Sequence, residues 1–269
     1  MPERPDLEYQ VPLLDVALRG RTFTGVKLVK AVVWRSASPP AVLAGRQVRE
    51  VRRHGHFVHF LLSEGHLVVH PMLAGRFSFE GNGHLALSLS LDDGRTLRYR
   101  DSEQMGKVYF VSEVGEIPAF AVGPDVLDLS LADFRVIVKK RRDQVKVFLL
   151  DKATLDSFGN AYADEVLFDA GIHPKTMVSS LSPDDVGRLH ASMVRVLTDA
   201  RDEIRRRAPP LQDKVRDFLK VRNRAGEPCV RCGTKIRAAG VHGHDAFFCP
   251  KCQPDRAGRG IVDWRKLAR

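Results

Sequence analysis

No run of 18 uncharged apolar residues occurs in the 269-residue chain, so no membrane-spanning helix is expected. Cysteine is absent from the first 228 residues, which excludes a disulfide-stapled framework over most of the length. Gly-x-Gly-x-x-Gly and phosphate-loop patterns are missing, so nothing signals a nucleotide cofactor. Internal repeats and low-complexity segments are missing too. The first residues carry Glu3, Asp6 and Glu8 with no apolar stretch of the kind a secretory signal needs, and a cytoplasmic location is expected. Residues 1–200 have no charge surplus at all, with 25 Lys/Arg against 25 Asp/Glu.

What remains is a globular composition, 43% hydrophobic and 28% charged, long enough for a substantial core or two modest domains. The whole net charge of +10 falls in residues 201–269, where 18 Lys/Arg face 8 Asp/Glu. A surplus concentrated in this way points to a phosphate-bearing partner; a basic surface kept for solubility is the alternative. The four cysteines, Cys229, Cys232, Cys249 and Cys252, form two CxxC pairs separated by 16 residues. That spacing reads as a tetrahedral zinc site, the alternative of two disulfides being disfavoured by a reducing compartment. Four thiolates leave no open coordination position, so one structural Zn2+ is expected, with the gap folded as a hairpin that packs Phe247 and Phe248 beside it.

The periodicity changes along the chain. Residues 6–18 suggest a short helix started or interrupted at Pro12. Short alternating segments follow at 26–33, 48–53, 57–62, 66–70, 85–91, 96–100 and 107–110, with Asp93-Gly94 as a hairpin turn, and predict an antiparallel sandwich or barrel. Residues 121–142 read as a junction ending in Lys139-Lys140-Arg141-Arg142. Helical patterns then occupy 147–153, 160–170, 182–199 and 211–219, the third opened by Ser182-Pro183 with an acid at the third position. A basic tail with Trp264 as a possible anchor ends the chain.

Three blocks, in order, carry a resemblance. They are Met1-Pro2-Glu3-Arg4-Pro5-Asp6 at the start, residues 158–174 from Phe158-Gly159-Asn160 to Gly171-Ile172-His173-Pro174, and the zinc block from Glu227-Pro228-Cys229 to Cys249-Pro250-Lys251-Cys252-Gln253. Together, over residues 1–253, they resemble the formamidopyrimidine-DNA glycosylase / endonuclease VIII family. The resemblance implies an α+β multidomain protein with an N-terminal antiparallel β-sandwich at 1–124 and a linker at 125–142. It places a helix-two turns-helix DNA-binding domain at 143–221, a four-cysteine zinc finger at 222–253 and a basic tail at 254–269. It implies base excision repair on damaged duplex or single-stranded DNA by a monomer, cytoplasmic and nucleoid-associated, with the base flipped out of the helix.

The implied chemistry rests on Pro2 and Glu3. Removal of Met1 would expose the secondary amine of Pro2, which attacks C1′ of the damaged nucleotide; an α-amine titrates near 8, well below lysine. Glu3 is the carboxylate that shuttles protons. Carried over one at a time, Asn160 matches a phosphate-contacting asparagine, Lys146 a lysine that contacts DNA or the base, and His70 a histidine facing phosphate or, alternatively, a surface strand histidine. Leu73 falls at the helix-wedging position, Met105 is a second wedge, and Glu165 is a carboxylate that supports the turns.

The departures matter as much. His56 stands where the family has a phosphate-binding lysine, and His244 where it has the arginine of the zinc hairpin. Glu103 and Gln104 replace a pair of arginines, Arg222-Asn223 replaces Tyr-Gly, and Arg4 and Asp6 replace Leu and Glu. Mostly neutral histidines at two clamp positions admit a retuned or more open lesion site, a pH-dependent or weak enzyme, or a damaged-DNA-binding protein that has lost excision. A zinc module for protein contacts is a third class, which the basic end argues against.

Overall fold

The computed structural model describes residues 2–81, 83–156 and 158–255. The chain divides into two compact units, the first made of Met1–Ala121 with Arg201–Val215, the second of Val122–Ala200 and the chain from Arg216 onward.

In the first unit, α1 (Arg4–Leu18) precedes two four-stranded antiparallel sheets. One contains β1 (Phe23–Leu28), β5 (Arg76–Ser78), β6 (Leu85–Leu91) and β7 (Thr96–Arg100) in the order β1-β6-β7-β5. The other contains β2 (Val48–His54), β3 (Phe57–Leu62), β4 (His66–His70) and β8 (Lys107–Val111) in the order β2-β3-β4-β8. Their alternating apolar residues, among them Phe23, Phe60, Val69, Leu87 and Val108, form a single core together with the α1 stripe Leu7, Val11, Leu14 and Leu18. That stripe follows the helical period and decides where α1 lies. Asp15 adds a directional tie by accepting the β2 amide of Val51 at 2.7 Å.

Pro12 was expected to start or interrupt this helix, yet the helix runs through it. Its ring faces solvent, and the one backbone bond it forfeits is outweighed by the buried stripe. The segment expected as a strand over 26–33 stops at Leu28, because the amides of Val29 and Lys30 both turn onto the Ala86 carbonyl; Ala31–Val33 is a 3-10 turn. β5 escaped notice because three residues are too few to display alternation.

The second unit is helical and ends in a hairpin: α2 (Leu131–Lys139), α3 (Val145–Leu150), α4 (Asn160–Ala170), α5 (Pro183–Arg207, its residues from Arg201 on counted with the first unit), β9 (Arg237–Val241) and β10 (His244–Phe248). The residues expected as a linker contain α2, started by a Ser130 cap that accepts the Asp133 amide at 3.1 Å. Phe134 and Val138, one turn apart, are buried in the helical core. α5 continues past Asp199 to Arg207, where Ile204 is buried and three terminal arginines suit the helix C-terminus. No helix forms at 211–219. Its apolar residues serve different cores, Leu211 packing in the first unit and Leu219 in the second, so no single apolar stripe exists to fold it. Trp264 and the tail beyond Asp255 lie outside the described residues.

α1 supplies a test of this packing. Leu14→Ala should lower the urea midpoint of the first unit by an amount equivalent to about 2–5 kcal/mol. Val16→Ala, on the 85%-exposed outer face of the same helix, should stay within about 0.5 kcal/mol of the parent.

Candidate functional site

Pro2 and Glu3 sit at the start of α1, and both are buried. Glu3 is the helix N-cap and forms a reciprocal capping box with Asp6, the Glu3 amide donating to Asp6 Oδ2 at 2.7 Å. Pro5 suits the first turn because its missing amide would have no helical partner there. Arg4 follows the cap and pairs with Glu8 at 2.7 Å. The residue that precedes the cap, Pro2, is therefore held by a helix that is itself locked to the sandwich.

Two loops of the same unit carry the expected wedges. Leu73 is 56% exposed and Met105 41% exposed, unusual for side chains this apolar. Asp101, buried, closes the second loop by accepting the amides of Gly106 at 2.7 Å and Glu103 at 3.1 Å. The loops share one support, the hydroxyl tip of Tyr99. A Cβ at Gly75 or at Gly106 would collide with Tyr99 Oη, so the absence of a side chain at both positions lets the two loops close on the same phenol. Met72 and Gln104 adopt φ of +49° and +53°, which turns each loop sharply beside its wedge.

The histidines differ from one another. His70 is half-buried; its Nδ1 accepts the Met72 amide at 3.1 Å, leaving Nε2–H as the donor of the neutral ring, and its ring meets the Phe57 edge at 4.9 Å. His56, in the β2–β3 turn, is buried, with its ring 6.4 Å from that of His70. His59 is buried on the outer face of β3. Arg52 Nε donates to its Nδ1 at 3.1 Å, its Nε2 meets His66 Nδ1 at 2.9 Å, and Phe120 stands edge-on to it at 5.6 Å. Burial, followed by the charge of Arg52, lowers the His59 pKa to about 4. His244 is exposed at the β9–β10 turn, where His242 and Gly243 have φ of +45° and +79°, the two positive values of a tight hairpin turn.

In the second unit, Asn160 opens α4 behind Gly159, and its buried Oδ1 has no hydrogen-bond partner among the described residues. Such an acceptor is costly unless a donor from outside meets it. Lys146 is wholly buried. Its Nζ bonds Asp164 and the Asp245 carbonyl, and Arg222 joins them, 2.9 Å from Asp164 Oδ2 and 3.2 Å from the same carbonyl. Burial pushes the Asp164 carboxyl up while Lys146 and Arg222 oppose it. Glu165 accepts the amides of Lys220, Val221 and Arg222 at 2.8, 2.9 and 2.9 Å. Gln253 bridges the finger to the turn after α4, donating to the Ile172 carbonyl at 2.9 Å and accepting the Cys249 amide at 3.0 Å.

Cys229, Cys232, Cys249 and Cys252 place their sulfurs within 4.8 Å of one another. Individual separations are 3.9 Å for Cys229–Cys252 and 3.5 Å for Cys232–Cys249. A tetrahedral zinc with Zn–S near 2.3 Å sets its sulfurs about 3.8 Å apart, so the donor set and its spacing fit the ion. Hydrogen bonds from Thr234 lower the Cys232 thiol to about 6, whereas burial and the neighbouring thiols push Cys252 up to about 12. Four packed thiols ionise together only when a cation neutralises them.

Sequence reasoning passed over Tyr99, Asp101, His59 and the Asp164–Arg222 pair. Of these, only Asp101, at the head of the loop that ends in Met105-Gly106, and Arg222, at the departure Arg222-Asn223, stood out in the sequence.

Three family profiles match the chain: the formamidopyrimidine-DNA glycosylase N-terminal domain over residues 1–108, the formamidopyrimidine-DNA glycosylase H2TH domain over 121–206, and the zinc finger found in FPG and IleRS over 226–254. The formamidopyrimidine-DNA glycosylase of Solibacter usitatus is 32% identical over 268 residues, covering 94% of this chain and 99% of that one. The MutM (FPG) protein of Thermus thermophilus superposes with a TM-score of 0.82 at 29% identity, covering 94% and 98% of the two chains. The Lactococcus lactis Fpg, in complex with DNA containing N7-benzyl-Fapy-dG, gives 0.84 at 25% identity, covering 94% and 100%.

Two measurements check the geometry. Gly106→Ala should drive the Met105 loop off Tyr99 and destabilise the first unit by about 1–3 kcal/mol, with weaker retention of abasic-site DNA. Gly115→Ala, which meets open space, should be silent in both respects. His59, whose pKa falls from 6.5 to about 4 on folding, makes acid unfavourable. Between those values the unfolded chain takes up a proton that the folded unit refuses, so stability is complete above pH 6.5 and declines towards pH 4. Urea midpoints across that range should flatten in His59→Gln.

Proposed function

Because the chain belongs to the formamidopyrimidine-DNA glycosylase family, we propose that it is a bifunctional DNA glycosylase/AP lyase of base excision repair, with Pro2 as nucleophile. The observation that carries this reading is the locked start of α1, with Pro2 and the Glu3–Asp6 capping box buried together. After Met1 is removed, the lone pair of the Pro2 nitrogen forms a bond to C1′ as the C1′–base bond breaks, and the base departs with a proton. The added nitrogen loses its proton, and as Glu3 protonates O4′ the C1′–O4′ bond breaks; because the amine is secondary, the ring-opened product is a cationic iminium. Its charge acidifies C2′; loss of a C2′ proton expels the 3′ phosphate by β-elimination, and water releases the enzyme. Glu3 serves as the proton shuttle on the sugar.

The remaining residues hold DNA in this reading. Asn160, at the N-terminus of α4, offers its side-chain NH2 to phosphate, and His70 an Nε2–H donor. Leu73 and Met105 fill the space left by an extruded base. Lys146 acts through its ion pair with Asp164, which supports the segment behind the zinc hairpin. The zinc is structural. Oxidised, abasic and bulky or crosslinked nucleotides are the proposed substrates, in duplex or single-stranded DNA, for a monomer in the cytoplasm at the nucleoid. The burial of His56, at a position that bears a lysine in the family, favours a second reading, a damaged-DNA binder with weakened excision.

Borohydride reduction on an abasic-site oligonucleotide separates the two. The enzyme should be trapped covalently, with trapping lost by at least about 100-fold in Pro2→Gly and base release depressed by a similar factor in Glu3→Gln. Retained Met1 in the mature protein, with gel shifts but no trapped species between pH 5.5 and 8, would leave only the binder.

A further inference from the structure

The second unit carries a groove of about 420 Å3, lined by none of the residues placed on DNA above, between α2, the Val178–Ser180 turn and the start of α5. Its floor is aliphatic, formed by Val138, Val178, Leu181 and Val186. Its rim carries Arg135, Lys139 and Arg142, all exposed. Among the described residues no carboxylate lines it, and three nearby acids are committed elsewhere. Asp133 bonds Ser130, Asp143 is held by Arg141, and Asp185 caps α5 through Ser182 while pairing with Arg188. Asp184, on the first turn of α5, is exposed but does not line the groove. Among the described residues Arg142 donates only to the carbonyls of Lys139 and Arg141, which holds it at the rim with no carboxylate paired to it. Arg135 and Lys139 have no carboxylate within ion-pair distance among the described residues.

We propose that this groove docks an acidic peptide segment of a partner protein, one that carries an aliphatic or aromatic anchor between its carboxylates. The charge pattern matches such a ligand at both levels. The anchor buries against the floor, and the flanking carboxylates reach the three cations without meeting an acid. A nucleic-acid strand matches less well. Sites for single strands pair their cations with aromatic platforms for the bases, and this floor has no aromatic ring. A phosphodiester lying over four aliphatic side chains would lose hydration with no amide to replace it.

The experiment uses the full zinc-loaded chain and a fluorescein-labelled octapeptide, Glu-Asp-Asp-Leu-Asp-Phe-Asp-Glu, followed by anisotropy at low and at physiological salt. Saturable binding is expected. It should weaken about tenfold when Arg135→Glu and Lys139→Glu are combined, and comparably in Leu181→Asp. A peptide with Ser in place of its Leu and Phe should also bind more weakly. Arg49→Glu, an exposed charge reversal on the first unit, should change nothing. Affinity for an abasic-site duplex should stay within about twofold in the groove variants. Equal peptide binding by the parent and the groove variants would overturn the proposal, and so would equal binding of the Ser-substituted peptide. A parallel loss of duplex affinity would assign the groove to the phosphate backbone instead. Each of these readouts is independent of borohydride trapping, so failure here leaves the glycosylase reading standing.

Discussion

The reciprocal hydrogen bonds between Glu3 and Asp6 fix the start of α1, and with it the position of Pro2, the nucleophile of the proposed reaction. Chain termini are ordinarily the least ordered part of a domain. This one is held because the capping box satisfies amides that a helix start leaves open, and because α1 behind it buries one stripe in the sandwich core and ties Asp15 to β2. The same constraint explains a tolerated defect: Pro12 costs one helical hydrogen bond on the solvent side, where the stripe does not run.

The second unit depends on two adjacent buried carboxylates. Asp164 gathers Lys146 and Arg222 at the root of the zinc hairpin, and Glu165 receives three consecutive amides of the segment leading to the finger. Neighbouring positions on one helix point about 100° apart, so α4 can fasten two different elements from a single turn. Gln253 and the His173–Phe248 ring contact, 4.7 Å between centroids, close the other side. The finger is thereby part of the helical unit rather than an appendage, with its four clustered cysteines at the base of the hairpin.

Charge is distributed in a way that the total of +10 conceals. Several cations of the basic end are spent internally. Arg222 is bound to Asp164, Arg231 to Asp169, and Arg206 and Arg207 to Glu203. At the positions where DNA is expected, the donors are a half-buried histidine, an asparagine and an exposed hairpin histidine. Three uncompensated cations gather instead at the α2 groove. Net charge therefore speaks to long-range attraction for phosphate, while the local contacts follow from which cations have already been used.

Much of this was legible in the residues. The two CxxC pairs, the strands 57–62, 66–70, 85–91 and 96–100 and the helix Asn160–Ala170 stand as their spacing implied, because ligand geometry and side-chain period are local properties. The differences have distinct causes: α2 lies in a segment rich in turn signals, whereas residues 211–219 display a helical pattern whose apolar members serve separate cores. Nothing in the spacing of Gly75, Tyr99 and Gly106 announces that two loops share one phenol tip, or that Lys146 would be buried against a carboxylate 18 residues away. Sequence by itself determined the four-cysteine pattern and the family, since these depend on residue types at fixed intervals. Tertiary structure alone decided which charges remain available to a ligand and which apolar side chains, Leu73 and Met105 among them, stand exposed, because burial and pairing are settled by residues far apart in the chain.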